Sequence, residues 1–129
     1  MTNPCRPVDA FMGGLDDAAL ERVAEYFKAL SEPTRLKLLN ALRSGERNVG
    51  ALTAAIGVSQ ANVSKHLALL LATGVVERTM RGTNSFYRIA DTGTYQLCDL
   101  VCGQIGKRFA SEIAQRAGFL AAARPRRNR

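Results

Sequence analysis

The chain has 129 residues, of which 47% are hydrophobic and 22% charged, and its formal net charge is +7. This composition excludes an intrinsically disordered chain, and the length favours one folded domain over two. No apolar run approaches the roughly 18 residues that a membrane-spanning helix needs. The N-terminus also lacks the basic and then apolar order of a signal peptide. We therefore expect a cytoplasmic protein.

The charge is unevenly spread along the chain. Residues 1–30 carry −2, whereas residues 31–58, 59–89 and 90–129 carry +2, +3 and +4. A basic centre and tail behind an acidic start favours a polyanionic partner such as nucleic acid. The three cysteines are an odd number for an apparently cytosolic chain. They predict free or ligand-binding thiols rather than a disulfide framework.

Three helices are predicted in the first half, after a loose arm over residues 1–14 that contains prolines and glycines. Asp16 is expected to cap the first helix. Ser31 is expected to end that helix and to cap the second, with Pro33 in its first turn. A short third helix is expected over residues 49–56. Apolar residues recur at helical spacing in the first two helices: Leu20, Val23, Phe27 and Leu30, then Leu36, Leu39 and Leu42.

A fourth helix is predicted over residues 59–73, directly after a tight turn at Gly57, and this pair of helices is typical of a helix-turn-helix. Val63, Leu67 and Leu70 mark its buried face. The rest of its surface is small or hydrogen-bonding near the N-terminal end, with one cation and no acid, which suits the major groove of DNA. An ordinary solvated helix face is the alternative. The candidate DNA contacts are Ser59, Gln60, Asn62, Ser64, Lys65 and His66.

Two β-prone runs, residues 75–79 and 85–89, predict a hairpin with a polar tip over residues 80–84. A hairpin that follows a helix-turn-helix is a wing, which can reach the DNA backbone or minor groove. Three arginines on it, opposed by Glu77 alone, are candidates for that contact: Arg78, Arg81 and Arg88. An exposed hairpin with solvated arginines is the alternative.

A long last helix is expected after Asp91 or Thr92, and the wing and earlier helices can bury only part of its apolar stripe. We expect that stripe to form a homodimer interface, since a reader of palindromic DNA needs a twofold axis. The stripe consists of Cys98, Cys102, Ile105, Phe109 and Ile113. The predicted fold is mainly α with a small β-hairpin, a winged helix-turn-helix dimerising through its terminal helices. It is expected over residues 15–119, before a basic tail over residues 120–129.

Three segments together resemble the ArsR/SmtB family of bacterial winged-helix repressors, over roughly residues 16–115. They are residues 27–36 (FKALSEPTRL), residues 58–67 (VSQANVSKHL), and a wing with Gly74-Val75-Val76, Arg78, Gly82 and Tyr87-Arg88. The resemblance implies a homodimeric repressor that binds operator DNA and releases it when an inducer occupies a sensor site. It also favours a DNA contact for His66 over a histidine satisfied inside the fold.

The best-known sensor sites of that family do not transfer to this sequence. Its arsenic site uses a Cys-Val-Cys segment, where this chain has Asn48-Val49-Gly50. Its zinc site needs histidines and acids on the last helix, but the only histidine is His66. Its persulfide-sensing branch pairs a cysteine of the second helix with one of the last, and Asn40 stands in the second helix here.

The remaining sensor candidates are Cys98 and Cys102, with Cys5 on the arm as a weak third. Residues four apart on a helix have Cβ atoms about 6 Å apart, so the two thiolates can share one soft ion. With Cys5 from the same or the other protomer they would form a trigonal site for As(III) or Sb(III), and no cofactor is required. A soft divalent metal, sulfur oxidation by species such as persulfide, and simple packing remain alternatives.

An enzyme is not expected from this sequence. A thiol enzyme needs an activated thiolate beside a base, but the chain has no Cys-x-x-Cys motif, a single histidine and no glycine-rich cofactor loop. A constitutive DNA-binding protein without a sensor is the more serious alternative.

Overall fold

The computed structural model describes residues 12–123, which form five α-helices and three β-strands. Residues 1–11, with Cys5 and most of the predicted arm, and residues 124–129 of the predicted tail lie outside this part. The elements are α1 (Asp17–Leu30), α2 (Pro33–Ala41), β1 (Arg47–Asn48), α3 (Val49–Ile56), α4 (Gln60–Ala72), β2 (Val76–Arg81), β3 (Asn84–Ile89) and α5 (Gly93–Ala122). The chain divides into two compact units between Asp91 and Thr92. The predicted class, mainly α with a small antiparallel sheet, is confirmed.

Side-chain hydrogen bonds mark both ends of helix α1. The backbone N–H of Ala19 donates to Asp16 Oδ1 at 2.8 Å, so the predicted cap is confirmed. At the other end the backbone N–H and the hydroxyl of Ser31 both donate to the carbonyl of Lys28, at 3.1 and 2.7 Å. Ser31 therefore closes α1, as predicted.

The prediction that Ser31 also caps α2 is wrong, because Glu32 is the cap. Its carboxylate accepts from the backbone N–H of Arg35 at 3.0 Å. Pro33 occupies the first turn of α2, and a residue before proline is pushed into extended backbone. Glu32 has that conformation, with φ −137° and ψ 129°, which is also the conformation of an N-cap residue.

The core of the first unit is built from α2, α3, α4 and the start of β2. Its fully or almost fully buried side chains include Leu38, Leu39, Leu42, Leu52, Val63, Leu67, Leu70, Val75 and Val76. The stripe predicted for α2 is partly wrong, since Leu36 is 41% exposed whereas Leu38 is fully buried. Each helical residue turns by about 100°, so residues two apart point in nearly opposite directions. Phe27, one of the apolar residues at helical spacing in α1, is also exposed.

Helices α3 and α4 form the predicted helix-turn-helix. Asn48 caps α3 by accepting from the backbone N–H of Ala51 at 2.8 Å. Gly57 ends α3 in the left-handed region, with φ 69°, which favours glycine. Ser59 Oγ then accepts from the backbone N–H of Asn62 at 3.3 Å and caps α4. The turn at Gly57 thus sets the direction in which α4 leaves α3.

The sheet has three antiparallel strands in the order β1-β3-β2. The sequence did not predict β1, whose Arg47 pairs with Tyr87 of β3. The hairpin strands also reach further than predicted, because Met80, Arg81 and Asn84 pair within the sheet rather than forming its tip. Gly82, with φ 62°, makes the tight turn between β2 and β3.

Helix α5 has 30 residues and starts after Thr92, whose side chain makes no capping hydrogen bond. It continues through Ala122, beyond the domain end expected at residue 119. Its apolar residues are largely exposed, among them Val101, Ile105, Phe109 and Ile113. Within residues 12–123, no helix is both long and apolar enough to cross a membrane.

A candidate nucleic-acid interface

The exposed face of α4 carries polar side chains and no acid. Gln60, Asn62, Ser64 and Lys65 are exposed, and Val63, on the buried face with Leu67 and Leu70, is inaccessible to solvent. The four polar side chains make no hydrogen bond or ion pair with other residues of the described chain. Their amide, hydroxyl and ammonium groups are therefore free to meet base edges and phosphates.

His66 is placed differently from those four residues. Its side chain is only 15% exposed, and Nδ1 lies 3.7 Å from Glu32 Oε2. Arg35 Nη1 stands 3.2 Å from the same nitrogen. A guanidinium can only donate, so Nδ1 is the acceptor in this contact and Nε2 is the ring nitrogen left for another partner. A DNA contact by His66 would therefore use Nε2, and this role stays a prediction.

Glu32 and Arg35 were missed as site residues, although both lie in the segment that resembles the ArsR/SmtB family. Burial raises the pKa of the Glu32 carboxyl, but hydrogen bonds from the backbone of Arg35 and Thr34 and the nearby His66 lower it below its usual range. Arg35 donates to the carbonyl oxygens of Ala29 and Lys28, at 2.7 and 3.2 Å. Arg35 thus joins the end of α1 to α4.

The wing arginines are not equivalent. Arg88 donates to Thr79 Oγ1 at 2.6 Å and to Glu77 Oε2 at 2.7 Å. Glu77 is the residue opposite Arg88 in the pairing of β2 with β3. Arg81 lies over the ring of Phe86, 4.9 Å from the ring centroid. Arg78 is exposed and, within residues 12–123, makes no ion pair.

Glu46 is the second acid of this region, and the sequence did not single it out. Its Oε1 lies 2.8 Å from Arg81 Nη2, and its Oε2 lies 3.8 Å from Arg88 Nη1. Glu46 precedes the unpredicted strand β1, and the pairing of β1 with β3 brings it to the wing. Because the sequence did not predict β1, it did not predict that Glu46 lies beside the wing.

A polar groove of about 350 Å³ separates the wing tip from the helix-turn-helix. It is lined by Asn48 and Gly50 at the start of α3, by Gln60 at the start of α4, and by Asn84 and Ser85 of β3. The start of α4, with the predicted major-groove contact Gln60, therefore borders the tip of the wing at this place.

The second unit holds Cys98, which is half-buried, and Cys102, which is exposed, and both thiols are free. Within the described residues no group of three histidine, cysteine or acidic side chains is arranged to hold a metal ion. A trigonal thiolate site would need Cys5, which lies outside those residues.

Residues 32–78 match the family described as "Bacterial regulatory protein, arsR family". The chain is 37% identical to the transcriptional repressor SmtB homolog of Synechocystis over 92 residues, which are 71% of this chain and 68% of that protein. It is 37% identical to a probable mercury resistance operon repressor of Streptomyces lividans, over 63% of this chain and 62% of that one. The HTH-type transcriptional regulator Rv0324 of Mycobacterium tuberculosis is 39% identical, and this chain spans only 41% of its length.

The fold is similar to solved structures of regulators. A homodimeric winged helix-turn-helix DNA-binding domain, Mb0332 from Mycobacterium bovis, is described as a possible ArsR-family transcriptional regulator. It matches with a TM-score of 0.66 and 36% identity over 76% of this chain and 94% of that one. The named proteins are regulators rather than enzymes, and the Mb0332 domain has the predicted winged helix-turn-helix architecture. The chain belongs to the ArsR family of bacterial regulatory proteins.

Proposed function

We propose that the protein is a homodimeric transcriptional repressor that inserts α4 into the major groove of operator DNA and is released by a thiol-binding inducer. The exposed, acid-free face of α4 is the observation that carries this proposal. Four side chains on that face have hydrogen-bonding capacity that no other described residue uses. A solvated helix of ordinary composition would more often mix acids with its cations. The proposed base and backbone contacts are Ser59, Gln60, Asn62, Ser64, Lys65 and, through Nε2, His66.

The wing is proposed to hold the DNA backbone beside the α4 contacts. Among the described residues Arg78 has no carboxylate partner, whereas Arg81 and Arg88 each have one. Phosphate contacts fix the register of a protein on the duplex but carry no sequence information. We therefore assign affinity and salt dependence to the wing and base discrimination to α4.

The homodimer is proposed from α5. Ile105, Phe109 and Ile113 are 49, 59 and 67% exposed and share one helix face. Exposed apolar residues in such a contiguous row mark an interaction surface. The occupant we propose is α5 of a second copy, because two recognition helices related by a twofold axis fit a palindromic site. The solved Mb0332 domain, similar over most of its length, is homodimeric.

The inducer is proposed to be As(III) or Sb(III), bound by Cys98 and Cys102 with Cys5 as a third ligand. The two thiols are free and four residues apart on α5. Thiolate sulfur without a histidine nearby selects soft ions over hard ones. Binding would change the geometry of the dimer, and a coupling of about 1.4 kcal/mol changes DNA affinity tenfold.

A soft divalent ion that accepts two thiolates, such as Hg(II), is a second candidate inducer. Two observations favour it: the described residues bring two thiols together without a third ligand, and one similar protein is a probable mercury resistance operon repressor. Oxidation of the thiols by a persulfide is the remaining alternative for the same site.

DNA binding is tested by enriching duplexes of about 30 bp from a random pool and measuring fluorescence anisotropy with the enriched sequence. Gln60→Ala and Lys65→Ala should each weaken binding about 5- to 100-fold, because good base contacts contribute about 1 to 3 kcal/mol. Lys107→Ala, which removes the same charge from the face of α5 opposite its apolar stripe, is the matched control. If no sequence is enriched, or if Lys107→Ala weakens DNA binding as much as the α4 variants do, α4 is not the element that recognises the DNA sequence.

The inducer is tested on the same complex with reduced protein. As(III), Sb(III), Hg(II), Cd(II), Zn(II) and an organic persulfide are added separately at fixed salt. Release by As(III) and Sb(III) supports the trigonal site, and release by Hg(II) alone supports the two-thiol site. Release by persulfide alone makes the protein a sulfur-redox switch, and no release by any of them removes the sensor role of the cysteines.

A further inference from the structure

We propose that Glu46 is an internal competitor of DNA phosphate for Arg81, and that it thereby sets the affinity of the wing for the DNA backbone. Glu46 lies in the first unit, just before β1, and its side chain is 23% exposed. The ligand that displaces it is a phosphodiester of the duplex. This inference rests on the proposed function, because it concerns how the wing binds DNA.

The contact between Glu46 and Arg81 is close but poorly aligned. Arg81 Nη2 lies 2.8 Å from Glu46 Oε1, yet this buried oxygen accepts no hydrogen bond within the described chain. The attraction is therefore mainly Coulombic. The Arg81 side chain is 62% exposed, and ion pairs at exposed positions are weak and screened by salt. A phosphate that offers aligned acceptors can replace such a partner.

Arg88 is held more firmly than Arg81, so we expect only Arg81 to exchange its carboxylate partner for a DNA phosphate. Two aligned hydrogen bonds fix its guanidinium, one to Thr79 and one to Glu77. Glu46 is a more distant neighbour of Arg88, at 3.8 Å. When Arg81 turns to a phosphate, its ion pair with Glu46 is lost. The free energy of that lost pair is subtracted from the affinity of Arg81 for phosphate, so removal of the Glu46 charge should favour the complex.

The test is Glu46→Gln, which keeps the shape of the side chain, measured by anisotropy on the enriched duplex. We expect the variant to bind about three- to tenfold more tightly at about 50 mM salt. The slope of log affinity against log salt should stay close to that of wild type, because Arg81 neutralises one phosphate in both complexes. Glu21→Gln on α1 removes the same charge far from the wing in sequence, and we expect less than about a twofold gain from it.

A double-mutant cycle with Arg81→Ala separates partner exchange from a general charge effect. In the Arg81→Ala background the gain from Glu46→Gln should disappear. Weaker or unchanged binding by Glu46→Gln alone, or a gain that persists without Arg81, would overturn the proposal. If Glu46→Gln does not fold, Glu46→Asp retracts the charge by one methylene, and the same two criteria apply to it. Failure of the wild-type protein to bind any duplex would instead contradict the proposed function.

Discussion

Arg35 donates from Nη1 to Nδ1 of His66 across 3.2 Å, and this hydrogen bond joins the end of α1 to the recognition helix α4. The same guanidinium donates to the carbonyl oxygens of Ala29 and Lys28 at the end of α1. A single side chain thus donates to two helix-terminal carbonyl groups and to a histidine of α4.

Arg35→Ala should lower the free energy of unfolding by about 2 to 3 kcal/mol, because hydrogen bonds to a charged donor contribute more than neutral ones and two partly buried acceptors, the Ala29 carbonyl and His66 Nδ1, lose this donor. The measurement is urea denaturation followed by circular dichroism. Lys37→Ala, at an exposed position of the same helix, is the control and should change stability by less than about 0.5 kcal/mol. Equal effects of the two substitutions would contradict a bridging role for Arg35.

Glu32→Gln should remove part of the acid sensitivity of the protein. The pKa of the Glu32 carboxyl is lowered in the folded state, so its ionised form favours folding. That contribution is fully present above the unfolded pKa, about 4.3, and is lost as pH falls through the folded value. The stability difference between wild type and variant should therefore be constant near neutral pH and shrink below about pH 4.3. Denaturation at a series of pH values measures it, and a difference independent of pH would contradict the assignment.

Gly57→Ala should destabilise the protein through its backbone conformation alone. A Cβ at this position would meet no atom within 4 Å, but φ is +69°, and left-handed backbone costs an L-residue about 1 to 2 kcal/mol. Gly50→Ala is the matched control, since Gly50 lies in α3 and its added Cβ would meet only Asn48 Oδ1, at an ordinary 3.6 Å. Alanine there should stabilise the helix by up to about 1 kcal/mol. Thermal melting distinguishes these opposite signs.

Features encoded locally were predictable from the sequence, and features set by tertiary pairing were not. Asp16 and Ser59 were identified as caps because a short oxygen-bearing side chain precedes each helical pattern. Gly57 was identified because a left-handed helix end favours glycine. Apolar spacing did not distinguish Leu36 from Leu38, since both positions are compatible with a stripe and the packing partner selects the face.

The candidate site was predicted only in part, for the same reason. The polar residues at the start of α4 follow from the helix pattern, which requires no knowledge of distant residues. Glu46 reaches Arg81 only because a two-residue strand, too short to show alternation, pairs with β3. Arg35 reaches His66 across 31 positions of sequence. The partners of the charged residues thus required the folded chain.

Ile105→Glu should weaken the proposed dimer at least about 100-fold, because it places a charge in the centre of an apolar interface. Sedimentation equilibrium measures the association, and the helix content should remain unchanged. Gln104→Glu adds the same charge one position earlier, on another face of α5, and is expected to leave the dimer intact. A wild-type protein that is monomeric, or two variants that dissociate alike, would contradict the assignment of this face.

Cys102→Ser should leave operator binding within about twofold of wild type and abolish release by the metalloid, because serine oxygen is a hard ligand that binds soft ions poorly. Cys102 is exposed in the single chain, and serine has nearly the size and shape of cysteine, so the substitution removes little packing even if the stripe on α5 is covered in the dimer. Cys98→Ser should have the same effect on release, with a somewhat larger loss of stability because Cys98 is half-buried.

Cys5→Ser distinguishes the trigonal site from the two-thiol site. Its loss should prevent release by As(III) if three sulfurs are required and should leave release by Hg(II) unchanged. Titration of the thiols with and without the ion, followed by ultraviolet absorption of the sulfur-to-metal bonds, reports ligand number independently of DNA. Release that persists in Cys102→Ser would exclude Cys102 from the mechanism and with it the proposed sensor on α5.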